Sequence, residues 1–287
     1  MTKRILITGG SGLLGSELYI GLKSIFNVLT ISKTGNNKCK KIDITNIDDL
    51  NNLISNFKPE IIINCAAFTD VDNAELNRNI TRKVNVIGLS NIIKCSNKNT
   101  KIIHISSDYV FDGEKGNYFE NDQTFPINYY GKTKLEAENI LIGSNHKYLI
   151  IRPNVLFTSN LTKKHFLSWI LNSLKCGKYI SLVTDQISNP TYIPNLTSFI
   201  TDAILIGYEG LCHFGSDDYI SRYDYALKVC SIYGYDNNKI VPLSSNELNQ
   251  TARRPLNTSL NCTKIKNDLD FETYSIDYSL RKTYLKK

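Results

Sequence analysis

Tyr130 and Lys134 stand four residues apart in the stretch YYGKTKLE, residues 129–136. On a helix this spacing sets a phenol and an ammonium on one face. Reducing a ketone needs a hydride on carbon and a proton on oxygen. A phenol with a pKa of about 10 is poorly matched to that task at neutral pH. A neighbouring ammonium stabilises the phenolate and brings the value down. The other tyrosine, Tyr129, meets Lys132 and Thr133 at helical distance, a solvent-facing pattern, and the register from Pro126 and Gly131 favours Tyr130. A hydroxyl to hold the ketone oxygen would complete such a set.

A second constellation lies near the start. TGGSGLLG, residues 8–15, reads Gly9-x-x-Gly12-x-x-Gly15, with Ser11, Leu13 and Leu14 between the glycines. It follows the apolar run RILIT and precedes an amphipathic stretch. A chain that turns sharply, approaches a pyrophosphate closely and packs helix on sheet needs glycine at such points. The following helix N-terminus offers free N–H groups and a positive dipole to phosphate. The placement predicts dinucleotide binding. About 20 residues on, where a carboxylate often takes the ribose hydroxyls, the chain reads TISKTG, with Ser32 and Lys33. A hydroxyl and an ammonium attract a 2′-phosphate that a carboxylate would repel. NADPH is therefore the expected cofactor, with NADH the other one admitted. Asp43 and Ile44 are placed to reach the adenine.

These groups must be positioned by alternating elements. Apolar strands are predicted at 4–9, 27–32, 40–45, 60–64, 100–107 and 147–153, and helices at 12–24, 46–56, 79–97 and over the Tyr130 stretch. The strands are Ile-, Val- and Leu-rich on both faces, as a buried parallel sheet requires. The expected fold is α/β, a doubly wound parallel sheet over residues 1–152. A smaller α/β domain is expected over 153–287, with a helix at 163–176, a strand at 210–215 and a helix at 221–234. The 287 residues carry a net charge of +7, spread along the chain with no block of five like charges and no aromatic-basic run, which argues against nucleic acid. No stretch approaches the ~20 apolar residues of a membrane span. Seven cysteines are scattered without metal-ligand spacing, as small buried hydrophobes in a reducing compartment. A cytoplasmic protein is expected, with no metal site.

The glycine motif, NCAAFTDVDNAE (64–75), ISSDYVFDG (105–113), PINYYGKTKLEAE (126–138), IIRP (150–153), DQISNPT (185–191) and ARRPLNTSL (252–260) occur in this order. Together the set resembles the extended short-chain dehydrogenase/reductases, and among them the dTDP-4-dehydrorhamnose reductase family. The resemblance implies an NADPH-dependent reduction of the 4-keto group of a nucleoside-diphosphate 6-deoxy sugar, dTDP-4-dehydro-L-rhamnose foremost, in surface-polysaccharide precursor synthesis. It implies that Ser107 holds the carbonyl oxygen and that Lys134 also bonds the nicotinamide ribose. Asn85 matches an asparagine that serves either as a structural tie or in a water relay. Ala66 and Ala67 fall beside the cofactor, and Arg152-Pro153-Asn154 near the nicotinamide. Thr69, Val71, Asn154, Gln186, Asn189 and Arg253 fall on the nucleotide-sugar side. Val155 stands where the resembled reductases have a tryptophan near the sugar, which leaves the sugar's identity open. Asp108 and Tyr109 read as loop anchors, and His104 as a core histidine. The resemblance admits a homodimer. It also admits two other readings, an epimerase or dehydratase with resident NAD and a non-catalytic NADP-binding regulatory subunit.

Overall fold

The computed structural model describes residues 2–285. Elements alternate from the start: β1 (Arg4–Thr8), α1 (Leu13–Leu22), β2 (Asn27–Ser32), β3 (Lys40–Lys41), α2 (Ile47–Phe57) and β4 (Ile61–Asn64). Next come α3 (Val71–Leu76), α4 (Arg78–Arg82), a π turn at Lys83–Ile87, α5 (Gly88–Cys95), β5 (Lys101–Ile105), α6 (Tyr129–Ile142) and β6 (Tyr148–Pro153). The remainder holds β7 (Leu156–Phe157), α7 (Phe166–Lys175), β8 (Ile180–Val183), β9 (Ile187–Ser188), β10 (Thr191–Tyr192), α8 (Ile193–Ile206), β11 (Gly210–Phe214), β12 (Ile220–Ser221), α9 (Arg222–Tyr233), β13 (Ile240–Leu243), α10 (Thr263–Leu269) and α11 (Ile276–Tyr284).

Seven parallel strands form the central sheet in the order β11-β6-β5-β4-β1-β2-β3. The order reverses between β1 and β4, and in such sheets ligands bind in the crevice outside the carboxyl ends at that point. The strands read as near-continuous apolar runs because both faces are covered. On one face Leu14 and Leu18 of α1 and Ile193, Leu196 and Phe199 of α8 cover Ile5, Ile63 and Ile103. On the other, Leu50 and Ile54 of α2, Leu89 and Ile92 of α5 and Ala137 and Leu141 of α6 cover Leu6, Ile62 and Ile102. A separate core joins α7, α9, α11, β8 and β13 through Leu167, Leu171, Tyr225, Val229 and Leu280. Among the described residues no helix is long and apolar enough to cross a membrane.

Three features differ from the sequence reading. The strand expected at 40–45 pairs only at Lys40 and Lys41, because Asp43 bends the chain by accepting from Thr45 N–H at 2.9 Å and Asn46 then caps α2. The helix expected at 79–97 is a succession of α4, the π turn and α5. The extra residue of a π turn redirects side chains, and here it turns Asn85 inward. Helix α8, not expected from the turn-rich sequence before it, begins with Pro194 in its first turn and ends on Gly207 in the left-handed region. It and β11 carry the chain beyond Pro153 back onto the central sheet.

One buried ion pair fastens α6 to that sheet. The Arg152 guanidinium of β6 donates to both Glu138 oxygens, at 3.0 and 2.7 Å, with only 4% and 1% of the two side chains exposed. Ser106 also donates to Glu138. Arg152 lies over the Phe111 ring and beside His213 of β11. Removing one partner of such a pair leaves an uncompensated buried charge. Glu138→Gln should lower the unfolding free energy by about 3–5 kcal/mol in urea denaturation, and Glu138→Met with Arg152→Met should recover most of that loss.

Candidate active site

The glycine loop lies at the mouth of the crevice. Gly9 sits at φ +67°, and a Cβ there would come within 2.8 Å of Ala66 N, so only glycine fits the turn and the close approach of β1 to the end of β4. A Cβ on Gly15 would strike the Gly9 carbonyl. Gly12 is the N-cap of α1, with no capping side chain and no acidic residue in the first turn. The Gly10 and Gly12 N–H groups are taken by Ile31 O and Gly9 O, while the N-terminus of α1 carries no side-chain cap, a shape and charge that suit a pyrophosphate. Ser11 is half-buried in the loop, while the Leu14 side chain lies in the core beneath α1 with Leu13 packed against that core, and Lys163, from the loop before α7, donates to Ser11 O at 2.8 Å. Nothing local in the sequence around Lys163 announces that reach of 152 residues.

At the end of β2, Ser32 accepts from Gly35 N–H at 3.0 Å and from the Cys39 thiol at 3.3 Å. Lys33 is 75% exposed and lies 3.7 Å from the Asp43 carboxylate. TISKTG itself contains no acid, yet the fold delivers one beside it from past β3. Ile44 does not point outward. It is a core residue packed against α2 and α5, where a Cβ on Gly88 would collide with it, and its carbonyl accepts from Asn91 Nδ2 at 3.0 Å. Ala66 and Ala67 are half-buried just past β4, and Ala66 N–H donates to Thr8 Oγ1 at 3.3 Å.

Tyr130 occupies the first turn of α6, nearly buried. Asn128 caps this helix by accepting from Gly131 N–H at 2.8 Å, and Gly131 abuts the Tyr109 carbonyl too closely for any side chain. Tyr109 meets the Tyr130 ring edge-on at 6.0 Å. The Ser107 hydroxyl faces the Tyr130 phenol and draws its pKa down. Burial pushes the Tyr130 phenol above its ordinary range, against that pull. This is the reverse of the direction expected from the Tyr130–Lys134 spacing, because the cost of desolvating a phenolate dominates. Lys134, 1% exposed, directs its Nζ to Ile105 O at 2.6 Å and lies 3.5 Å from His104 Nε2. Burial pulls its pKa down to about 8, opposed by the Glu138 charge.

Ser107 donates to Asp108 Oδ1 at 2.9 Å and accepts from Tyr109 N–H at 3.2 Å. Burial pushes the Asp108 carboxyl up to about 6, while bonds from Thr258 and Ser107 and the Arg222 charge hold it back. Asp108 and Tyr109 are thus part of the Tyr130 surroundings rather than distant loop anchors. Arg222, at the start of α9, faces both of them from the other half of the chain. Arg222 carries no motif that sequence reading could have used. Asn85 accepts from Phe68 N–H at 2.7 Å and donates to Phe68 O at 3.2 Å and Thr133 Oγ1 at 2.9 Å. That geometry makes it a tie between the segment after β4 and α6.

The expected sugar-side residues separate into two groups. Thr69 is exposed and Val71 half-buried at the start of α3. Asp72 there bonds Ala252 N–H and Arg254, at 2.9 and 2.8 Å, and Asn128 bonds Arg253 O at 3.0 Å. Exposed Arg253 is thereby held between α3 and the start of α6. Asn154 and Asn189 do not face a ligand. They are 1% and 0% exposed, and their amides bond Thr258 O, Ser216 O, Leu260 O and Leu260 N. Their hydrogen-bonding capacity is spent on joining chain segments. Gln186 is tied to Ser245 and Gln250, and Val155 is half-buried. Arg152 reaches Glu138 rather than the crevice.

Comparison with known proteins follows this geometry. The chain matches the family model described as the RmlD substrate binding domain over residues 3–286. It is 34% identical over 278 residues to the dTDP-4-dehydrorhamnose reductase of Aggregatibacter actinomycetemcomitans, covering 92% of each chain. It is 28% identical to methionine adenosyltransferase 2 subunit beta of Xenopus tropicalis, covering 92% of this chain and 82% of that one. The crystal structure of dTDP-4-dehydrorhamnose reductase from Bacillus anthracis in complex with NADP superposes with a TM-score of 0.93 at 29% identity, covering both chains completely. With a family match spanning nearly every residue and a solved reductase superposing over both whole chains, the chain belongs to the RmlD substrate binding domain family, within the extended short-chain dehydrogenase/reductase fold.

Proposed function

We propose that the protein is an NADPH-dependent oxidoreductase that reduces the 4-keto group of a nucleoside-diphosphate 6-deoxy sugar, dTDP-4-dehydro-L-rhamnose in the first place. One observation carries the reading: Tyr130, faced by the Ser107 hydroxyl, stands one helical turn from buried Lys134, whose Nζ bonds the last carbonyl of β5. The reductases among its relatives and the NADP-bound structure of one of them support it.

NADPH, when bound, supplies the hydride. The loop Gly9–Gly15 and the free N–H groups of α1 would hold its pyrophosphate, and Ser32 and Lys33 its 2′-phosphate. Ala66 and Ala67 leave room for close approach. Ser107 holds the ketone oxygen and Tyr130 gives it a proton. Burial raises the Tyr130 pKa, so the phenol stays protonated until a developing alkoxide demands the proton. Arg253 and Arg222 provide cations for the diphosphate side, near Thr69 and Val71, and Gln186 lies behind them. Asn85, Asn154 and Asn189 act through the scaffold. The seven free cysteines fit a reducing, cytoplasmic setting, and a homodimer is part of this reading.

The likeness to a methionine adenosyltransferase subunit favours a second reading, a regulatory subunit that binds NADPH without turnover. Sugar-dependent NADPH oxidation separates the two. Tyr130→Phe should lower kcat by roughly 10²–10⁴, the usual contribution of a general acid, and leave the NADPH dissociation constant unchanged. Failure of the wild-type chain to oxidise NADPH with any 4-keto nucleotide sugar would sink the reductase. Lys33→Ala should raise the Michaelis constant for NADPH roughly tenfold, one charge-assisted bond, and leave that for NADH almost unmoved. Equal effects on both cofactors would remove Lys33 from the 2′-phosphate site.

A further inference from the structure

A line of buried polar groups crosses the sheet beneath Tyr130. Ala66 N–H donates to Thr8 Oγ1, and the Thr8 hydroxyl donates to Asn64 Oδ1 at 2.6 Å. That bond turns Asn64 Nδ2 toward His104 Nδ1, 3.1 Å away. His104 Nε2 lies 3.5 Å from Lys134 Nζ. Thr8, Asn64, His104 and Lys134 are all 2% exposed or less, so water does not intervene freely. An amide NH₂ can only donate, so His104 Nδ1 must present its lone pair. Burial and the Lys134 charge keep the ring neutral, and a neutral ring with a bare Nδ1 carries its proton on Nε2. A donor therefore faces Lys134. An ammonium offers nothing to accept it, whereas an amine offers a lone pair.

We propose that His104 is a positioning residue: locked as the Nε2–H tautomer by Asn64 and Thr8, it favours the amine of Lys134 over the ammonium and so sets where the reaction stops at high pH. The proposal rests on the reductase reading for its kinetic consequence. The ionisable groups around Lys134 are Tyr130 and Glu138 on its own helix, Cys65 past β4 and His104 on β5, with Asp108 facing Tyr130. Glu138 favours the ammonium and is already engaged by Arg152, while the Cys65 thiol, pushed up to about 12 by burial, carries no charge where Lys134 titrates. His104 is the group whose proton position can be inverted by a single neighbour.

Asn64→Asp performs that inversion. A carboxylate accepts from Nδ1–H and leaves the Nε2 lone pair to accept from the ammonium. The upper limb of the kcat profile should move to higher pH by about one unit or more, the scale of a new favourable partner for a buried charge. His104→Gln, able to turn a carbonyl oxygen to Lys134, should move it the same way. A limb that stays in place in Asn64→Asp protein that still binds NADPH overturns the proposal. Nitrogen NMR of ¹⁵N-histidine-labelled wild-type protein reads the tautomer directly, with the His104 signal assigned by its loss in His104→Gln or by single replacement of the other three histidines. The Nε2–H form is expected; an Nδ1–H form or an imidazolium overturns the proposal. That measurement holds whether or not any sugar is reduced, and whether or not Asn64→Asp folds.

Discussion

Helix α6 carries Tyr130, Lys134 and Glu138, all buried, in line on three successive turns. Each is met by the carboxyl end of the sheet. Ser107 meets Tyr130, Ile105 O meets Lys134, and Ser106 with Arg152 meets Glu138. A helix that slid by one residue would leave a charge and a phenol buried without partners, which costs several kcal/mol for the charge alone. The polar stripe therefore fixes the register of α6 more sharply than its apolar contacts could, since Leu and Ile tolerate small slips. The chemistry and the docking of the helix are the same set of contacts. Gly131, pressed on the Tyr109 carbonyl, and Asn128, capping the first turn, fix the end that carries Tyr130.

What could be read in the sequence was what neighbouring residues decide. The glycine cradle is local: three glycines, the strand before and the helix after them suffice to define its shape. The Tyr130–Lys134 spacing is local too, and so is the alternation of apolar runs that gives the parallel sheet. The misplaced and missing parts are decided by distant residues. Asp43 reaches Lys33 because a two-residue strand ends early. Lys163 reaches Ser11, and Arg222 reaches Asp108, across more than a hundred residues. The family resemblance puts Asn154 and Asn189 on the nucleotide-sugar side. In the fold they are consumed by the junction between segments 154–158, 186–191 and 258–262. The π turn at Asn85 had no signal, since its sequence reads as ordinary helix.

That junction explains how the segments beyond Pro153 are joined to the site. Asn189 bonds to Ser216, Leu260 and Asn154 at once, so the strap that runs from Ala252 to Cys262 is fixed at its far end. Asp72 fixes the near end through Ala252 and Arg254. Between these anchors lies Arg253, exposed and free to meet a ligand. Val155, half-buried one residue after Asn154, stands on the same rigid support. A change in side chain there alters the surface offered to a sugar without disturbing the frame that holds it.

The charges of the site share a single physical origin. Burial pushes Asp108 up to about 6 and pulls Lys134 down to about 8. A raised carboxyl works against folding once it ionises, and a lowered lysine works against folding until it loses its proton. Between roughly pH 6 and 8 both costs are present together. They are offset at Asp108 by Ser107, Thr258 and the Arg222 charge, and at Lys134 by the bond to Ile105 O and the Glu138 charge. The neutral range is therefore where both burial costs act on the site together. A protein built only for stability would fill these positions with apolar side chains; keeping them polar makes sense when the protons themselves are used.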